Sequence, residues 1–286
     1  MAHRAGDIVD LVRLTRPANA FVAAAGAYVG ALLSGAAWVP ERAVIASMIA
    51  AFTFAAAGNV RNDLGDIAID RVAHPERPLA RGSIHAAQAR QLAVGLYLVS
   101  LAAALLVSWW GALLVLLALP LMEAYERWGK ARGLPGNLLV ALLTGAPFVL
   151  GALAGGGHVG PAALAVAALA ALATAGREVL KDVEDVEADV GFRRTLPMRI
   201  GARRAALVAG AFLLAAALLS PLPFLLETVL GEWYLLGVVA ADACFLAAAA
   251  MGSRAPGRAQ RLVKLGMVAA LLALVLGRAS FVEMTL

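Results

Sequence analysis

Cysteine is nearly absent from this chain. Cys244 is the only one and falls inside an apolar run, which excludes a disulfide framework and a thiolate metal site. The four histidines, His3, His74, His85 and His158, are scattered without ligand spacing, which argues against zinc and haem. Charge is scarce as well: 15% of the residues are charged against 62% hydrophobic, and the mean hydropathy is +0.82. Soluble domains carry roughly 25% charged residues, so this composition belongs in a bilayer. A basic segment ahead of the first apolar run is also missing. Asp7 and Asp10 stand there instead, so no cleaved signal peptide is expected and the first span should remain in the mature protein.

What is present is a series of uncharged runs separated by charged segments. Residues 1–17 mix apolar and charged side chains as a helix lying in the membrane interface would. Spans one and two are expected at 18–35 and 43–58. Residues 91–122 form a hairpin of spans three and four, broken at Ser108-Trp109-Trp110-Gly111, and 123–136 reads as a polar loop. Spans five and six fill 138–176 around a glycine-rich turn at 155–161. Spans seven, eight and nine are expected at 205–226, 233–251 and 265 to about 282. The expected fold is therefore all-α: a single polytopic domain over 1–286 with nine transmembrane helices. All but two of the 24 Lys and Arg, Arg42 and Arg278, lie on one side of this topology. By the positive-inside rule that side, with the N-terminus, Lys130 and the acidic segments around 59–70 and 178–189, is cytoplasmic and the C-terminus is outside. The net charge of +5 thus reads as topology, and nucleic acid is not an expected partner.

Two of the charged segments are rich in oxygen ligands. The stretch from Gly58 to Ser83 carries Asn59, Asn62, Asp63, Asp66 and Asp70, and on a continuing helix positions 59, 63, 66 and 70 fall within an arc of roughly 60°. Glu178, Asp182, Asp185 and Asp189 repeat the same spacing, each 119 residues after its counterpart. The chain reads as two related halves, about 1–122 and 123–251, followed by a last helix. Like charges on one helix face repel unless a cation neutralises them. Solvated, charged loops between membrane helices are the plainer reading of either segment alone. Carboxylate and amide oxygens prefer Mg²⁺, which is commonly held by a few carboxylates together with substrate phosphates. Arg77, Arg81, Lys130, Arg194 and Arg199 flank the rows and could hold phosphate oxygens or anchor the topology. A diphosphate leaving from an allylic chain beside such a cluster, in a pocket kept from water, points to prenyl transfer.

The segment Asn62-Asp63-Leu-Gly-Asp66-Ile-Ala-Ile-Asp70 resembles the Asn-Asp-x-x-Asp-x-x-x-Asp signature of the UbiA family of intramembrane prenyltransferases. Asp182-Val-Glu-Asp185-Val-Glu-Ala-Asp189 resembles the family's second signature, and similarity extends to Arg16-Pro17, Arg77-Pro78, Tyr125 through Lys130, and Gly133-Leu-Pro-Gly-Asn137. The resemblance implies an all-helical bundle with a central cavity, capped by the two cytoplasmic acidic loops and open sideways to lipid, in which Asn62, Asp66, Asp70, Asp182, Asp185 and Asp189 hold Mg²⁺ or Mn²⁺. It implies that these carboxylates, with Asp63 and Tyr125, are the catalytic groups. Asn59, Asn62, Arg16, Arg77, Lys130, Asn137, Lys181 and Arg194 are then expected to contact substrate. Within the family, Gly176-Arg-Glu-Val-Leu-Lys-Asp-Val-Glu-Asp and Arg194-Thr-Leu-Pro look most like archaeal enzymes that transfer a geranylgeranyl group to the hydroxyl of geranylgeranylglyceryl phosphate. The expected partners are geranylgeranyl diphosphate, a lipid or aromatic acceptor and membrane lipid; an oligomer is not implied.

Three rival functions remain. An aromatic prenyltransferase of quinone synthesis, acting on 4-hydroxybenzoate, would share the same diphosphate chemistry. A cation-coupled transporter would carry its carboxylates near the bilayer midplane, where Asp242 alone lies, and Asp242 is expected to pair with a polar neighbour. A membrane alcohol phosphotransferase would gather its aspartates in one stretch beginning Asp-x-x-Asp-Gly, whereas Asp66 is followed by Ile67.

Overall fold

The computed structural model describes residues 2–285, with side chains described for residues 8–282; His3 and Asp7 lie outside the latter range. Helix α1 (Ala2–Thr15) leaves Ile8, Val9 and Val12 exposed, an apolar face suited to the membrane interface. It stops at Arg16, the one non-glycine residue at positive φ (46°) among those described, and Pro17 opens α2 (Pro17–Leu33). The residue before proline is excluded from the right-handed helical region, so the chain turns sharply there and a new helix starts with its φ already set. The next helices are α3 (Arg42–Gly65), the short α4 (Ile67–Ala73) and α5 (Pro78–Arg81), then α6 (Ala86–Val107) and α7 (Trp109–Ala124). They are followed by α8 (Leu134–Gly156), α9 (Pro161–Glu184), the short α10 (Leu196–Ile200), α11 (Ala202–Leu219) and α12 (Leu222–Leu226), and finally α13 (Trp233–Met251) and α14 (Pro256–Thr285).

Among the described residues eight helical segments are long and apolar enough to cross a membrane, and α2 is a shorter apolar helix of 17 residues. Seventeen residues rise ~26 Å, close to the ~30 Å hydrocarbon core. Together these are the nine expected spans. Four of the five tryptophans, Trp38, Trp109, Trp110 and Trp233, sit exposed in turns or helix starts at the end of the bundle away from the acidic segments. That placement fits one membrane–water interface.

Several boundaries differ from the sequence reading. The expected polar loop at 123–136 is mostly helical: α7 runs on through a π turn (Tyr125–Gly129) and a 3-10 turn (Lys130–Arg132). Ion pairs one turn apart, Arg127 with Glu123 at 3.2 Å and Lys130 with Glu126 at 2.8 Å, support that continuation. The last helix begins at Pro256 rather than Leu265, with proline in its first turn and Gln260 bonded to Glu184. Span seven is interrupted at Ser220-Pro221, where proline cannot continue the hydrogen-bond ladder. Neither acidic row lies on one continuous helix. The helices end at Gly65 and Glu184, and Asp66 and Asp185 are the residues that follow.

The bundle is held by close contacts between small residues, as expected where lipid supplies no hydrophobic drive between helices. Helix α8 approaches α2 so closely that a Cβ on Gly151 would overlap the carbonyl oxygen of Ala27. Gly151→Val should therefore destabilise the protein by about 1–3 kcal/mol, read as a lowered melting temperature in detergent. An unchanged melting temperature would show that α2 and α8 do not need this contact.

Candidate active site

The two acidic segments meet at one end of the bundle, each straddling a helix end. In the first, Asn59 near the end of α3 donates its amide to the carbonyl of Thr15 at 2.9 Å and so fixes the α1–α2 corner. That corner aims Arg16 at Asp63, which it bonds directly. Arg77, just before α5, donates to both oxygens of Asp70 at 2.8 and 2.9 Å and lies 3.9 Å from Asp63. Asp63 and Asp70, each 4% exposed, are thus buried carboxylates clamped by two guanidiniums.

Asp66, at the break between α3 and α4, reaches toward the π turn. Lys130 lies 3.2 Å from it and 2.8 Å from Glu126. With its amide turned to suit these neighbours, Asn62 donates to Asp66 at 3.1 Å and accepts from Lys130 at 3.1 Å. Gly65 permits this arrangement, because a Cβ there would stand 2.8 Å from a Glu126 oxygen.

In the second segment Asp182 accepts from Asn137 of α8 at 2.9 Å, and Glu178 pairs with Arg177. Asp185 ends α9 half-buried, and Asp189 is buried in the turn that follows, at 3.6 Å from Arg193. Arg193 also bonds Asp66. One guanidinium therefore joins the first row to the second. Burial pushes the Asp66 carboxyl up, but Lys130 and then Arg193 outweigh it and hold it below the usual carboxylate range. At Asp189 burial wins over Arg193, and the carboxyl is raised.

Among the described residues no three His, Cys, Asp or Glu side chains gather into a group ready to hold a metal ion. Their charges are met by Arg16, Arg77, Lys130 and Arg193 instead. The donor set still fits a hard cation: the oxygens are carboxylate and amide, and the space between Asp66 and Asp189 already holds a positive group.

Behind this end lies a cavity of about 400 Å³, within the usual range of ligand sites. Arg16, Asn59, Asn62, Tyr125, Glu178 and Lys181 line its polar mouth, and most of its remaining wall is apolar. Lys130 stands 5.6 Å from the centre of the Tyr125 ring. A second cleft of about 330 Å³ lies beside the mouth, lined by Arg13, Arg16, Asp63, Glu76, Arg77 and Pro78. Arg16 belongs to both.

The description of the UbiA prenyltransferase family matches residues 23–280. The chain belongs to that family. It is accordingly a multi-pass membrane protein and a prenyltransferase by family. It is 40% identical over 279 residues to the digeranylgeranylglyceryl phosphate synthase of Natronomonas pharaonis, covering 95% of this chain and 98% of that one. It is 38% identical over 266 residues to the synthase of that name from Methanopyrus kandleri, covering 92% and 96%. A solved digeranylgeranylglyceryl phosphate synthase structure superposes with a TM-score of 0.77 at 27% identity, over 96% of this chain and 99% of that one. A UbiA homolog from Archaeoglobus fulgidus bound to GPP and Mg²⁺ shares the fold, with a TM-score of 0.68 at 18% identity over 93% and 99%.

The candidate residues named from sequence come together at this end, with one displacement. Arg194 is exposed; its backbone N–H donates to Ala131 and its carbonyl accepts from Arg199, while its neighbour Arg193 takes the bridging position. Lys181 and Tyr125 face the cavity mouth, whereas Asn137 is bonded to Asp182 and neither of that pair lines the cavity. Sequence reading passed over Arg193 and Glu126. The signal for Arg193 was its place four residues after Asp189, within reach of an ion pair across one turn.

Arg193→Ala should leave two largely buried carboxylates without their shared cation and cost about 3–5 kcal/mol. Added Mg²⁺ should then return part of that loss, and raise the melting temperature of the variant more than that of the native protein. An equal response in both would show that Asp66 and Asp189 do not share a cation position.

Proposed function

We propose that this protein transfers a geranylgeranyl group from its diphosphate to the free hydroxyl of geranylgeranylglyceryl phosphate, in a reaction requiring Mg²⁺ or Mn²⁺. The observation that carries this reading is an apolar cavity whose polar mouth is bounded by both acidic segments and shares Arg16 with a second, basic cleft. The names of the relatives in Natronomonas and Methanopyrus support the same acceptor.

In this reading the isoprenoid tail lies in the apolar cavity and the diphosphate at its mouth. Asn62, Asp66, Asp70, Asp182, Asp185 and Asp189 would hold the divalent cation, which neutralises the diphosphate as it leaves. Lys130 takes diphosphate oxygens directly, and Asn59, Asn137 and Lys181 position the mouth around them. Asp63 keeps Arg16 and Arg77 aimed at the phosphate groups. Tyr125 presents its ring at the reacting end, where a π face stabilises the allylic cation charge that develops as the carbon–oxygen bond breaks. The acceptor hydroxyl oxygen bonds to that carbon as its carbon–oxygen bond to diphosphate breaks, the hydroxyl proton passes to the departing diphosphate, and an ether forms. The acceptor phosphate lies in the second cleft, held by Arg13, Arg16 and Arg77. Arg194, exposed beside Arg199, serves as a peripheral basic contact.

A carboxylic aromatic acceptor needs one anchor and a slot for a ring, and gives the second cleft no use. Geranylgeranylglyceryl phosphate should accordingly be prenylated efficiently, the dephosphorylated lipid should lose most of the rate, and 4-hydroxybenzoate should be a poor acceptor. Purified protein with labelled geranylgeranyl diphosphate and these three acceptors decides the matter. Faster turnover of 4-hydroxybenzoate would replace the ether-lipid assignment with quinone synthesis.

The active-site end is assigned to the cytoplasm from its basic residues, with the C-terminus outside. In a Cys244→Ser background, cysteine replacing exposed Glu187 should react with an impermeant reagent only from the cytoplasmic side. Cysteine replacing exposed His158, in the α8–α9 turn, should react only from the other. Labelling of both from one side would overturn the orientation.

A further inference from the structure

The cavity carries a polar feature that the transfer reaction leaves unused. From Lys181 to Val166 its lining follows α9 for roughly 22 Å at ~1.5 Å per residue. At the end away from the acidic segments, Ser220 closes α11 and Tyr234 opens α13, and both line the cavity with Asp242. The Tyr234 hydroxyl donates to the carbonyl of Ser220 at 2.5 Å, and the Ser220 hydroxyl donates to Asp242 Oδ2 at 2.8 Å. Asp242 Oδ1 is buried and, among the described residues, has no hydrogen-bond partner, and no Lys, Arg or His there pairs with this carboxyl. Around it the wall is apolar, with Val238, Phe245 and Leu271. Among the described residues no other acidic or basic side chain lines this half of the cavity, so a relay of ions or protons has no next station there.

A carboxyl that lines a cavity keeps its polar surroundings until hydrocarbon is pressed against it, and that contact is penalised. We propose that the Tyr234–Ser220–Asp242 cluster is the end stop of the prenyl-chain cavity and sets the longest prenyl diphosphate the protein accepts. The inference rests on the prenyl diphosphate reading above. A tail that stops short of the cluster fills the apolar length and leaves the carboxyl its polar contact. A tail one isoprene unit longer must cover Asp242 or fold back on itself.

The test is competition binding of farnesyl, geranylgeranyl and geranylfarnesyl diphosphates to the full-length protein in detergent with Mg²⁺, which needs no acceptor. Asp242→Leu keeps the bulk and removes the polarity. It should raise the affinity for geranylfarnesyl relative to geranylgeranyl diphosphate about tenfold, equivalent to about 1.4 kcal/mol. Asp242→Asn, which keeps a polar group facing Ser220, should retain the native ratio. An unchanged ratio in Asp242→Leu, or the same change in Asp242→Asn, overturns the end stop. Should Asp242→Leu not fold, Asp242→Ala is read in the same way. If the native protein binds none of the three diphosphates, it is the prenyl-transfer reading that fails; binding with an unaltered length ratio fails the end stop alone.

Discussion

Carboxylates packed into the end of an apolar bundle repel one another, and the structure answers that repulsion with guanidinium and ammonium groups. Asp63 and Asp70 share Arg77, Asp63 also holds Arg16, Asp66 holds Lys130, and Asp66 and Asp189 share Arg193. Arg193 matters most, because it is the direct ionic link between two segments that are far apart in sequence. Such a link is strong only while both partners are buried, and the side chains of Asp66 and Arg193 are 13% and 18% exposed. On the proposed function the same network suits a negatively charged diphosphate. The cations that quiet the carboxylates can turn to phosphate oxygens, and a divalent cation can take over the carboxylates.

The apolar body serves this polar end by leaving space. Contacts such as that of Gly151 with the backbone of α2 bring helices close where the bundle must hold. Small residues such as Ala51 and Ala170 face the cavity, where larger side chains would fill it. Shape and chemistry are thereby separated along the membrane normal. The apolar cavity lies among the spans, and the charged groups gather at one end.

Much of this was legible because it is written in large contrasts. Charged residues amid uncharged runs are conspicuous, so the spans and both acidic rows could be read from hydropathy and spacing alone. Span eight was read as residues 233–251, the extent of α13. The hairpin break at Ser108 falls where the serine hydroxyl accepts from the N–H of Gly111. What escaped reading depends on geometry without a period. The rows were placed on continuing helices from their spacing, yet both segments bend at the third position of the row, Asp66 and Asp185. After that bend the turn decides which of Arg193 and Arg194 faces inward, and neighbouring arginines look alike in sequence. The pairing of Asp182 with Asn137 joins separate helices and carries no local signature at all.

Arg16 shows how one residue connects the two levels. Its left-handed backbone costs about 1–2 kcal/mol and is held by the proline that follows, by the Asn59 amide on Thr15, and by its own bond to Asp63. A right-handed residue at that position would run α1 straight into α2. The bend instead lays α1 across the end of the bundle, with Asp10 bound to Ser83 at 2.6 Å and to Arg81. It leaves the Arg16 side chain as the wall between the apolar cavity and the basic cleft. A reaction that joins a prenyl carbon to a hydroxyl needs its two substrates kept apart along their length and together at one point. A single guanidinium between two cavities, fixed by a strained backbone, meets that requirement without a separate domain to bring the substrates together.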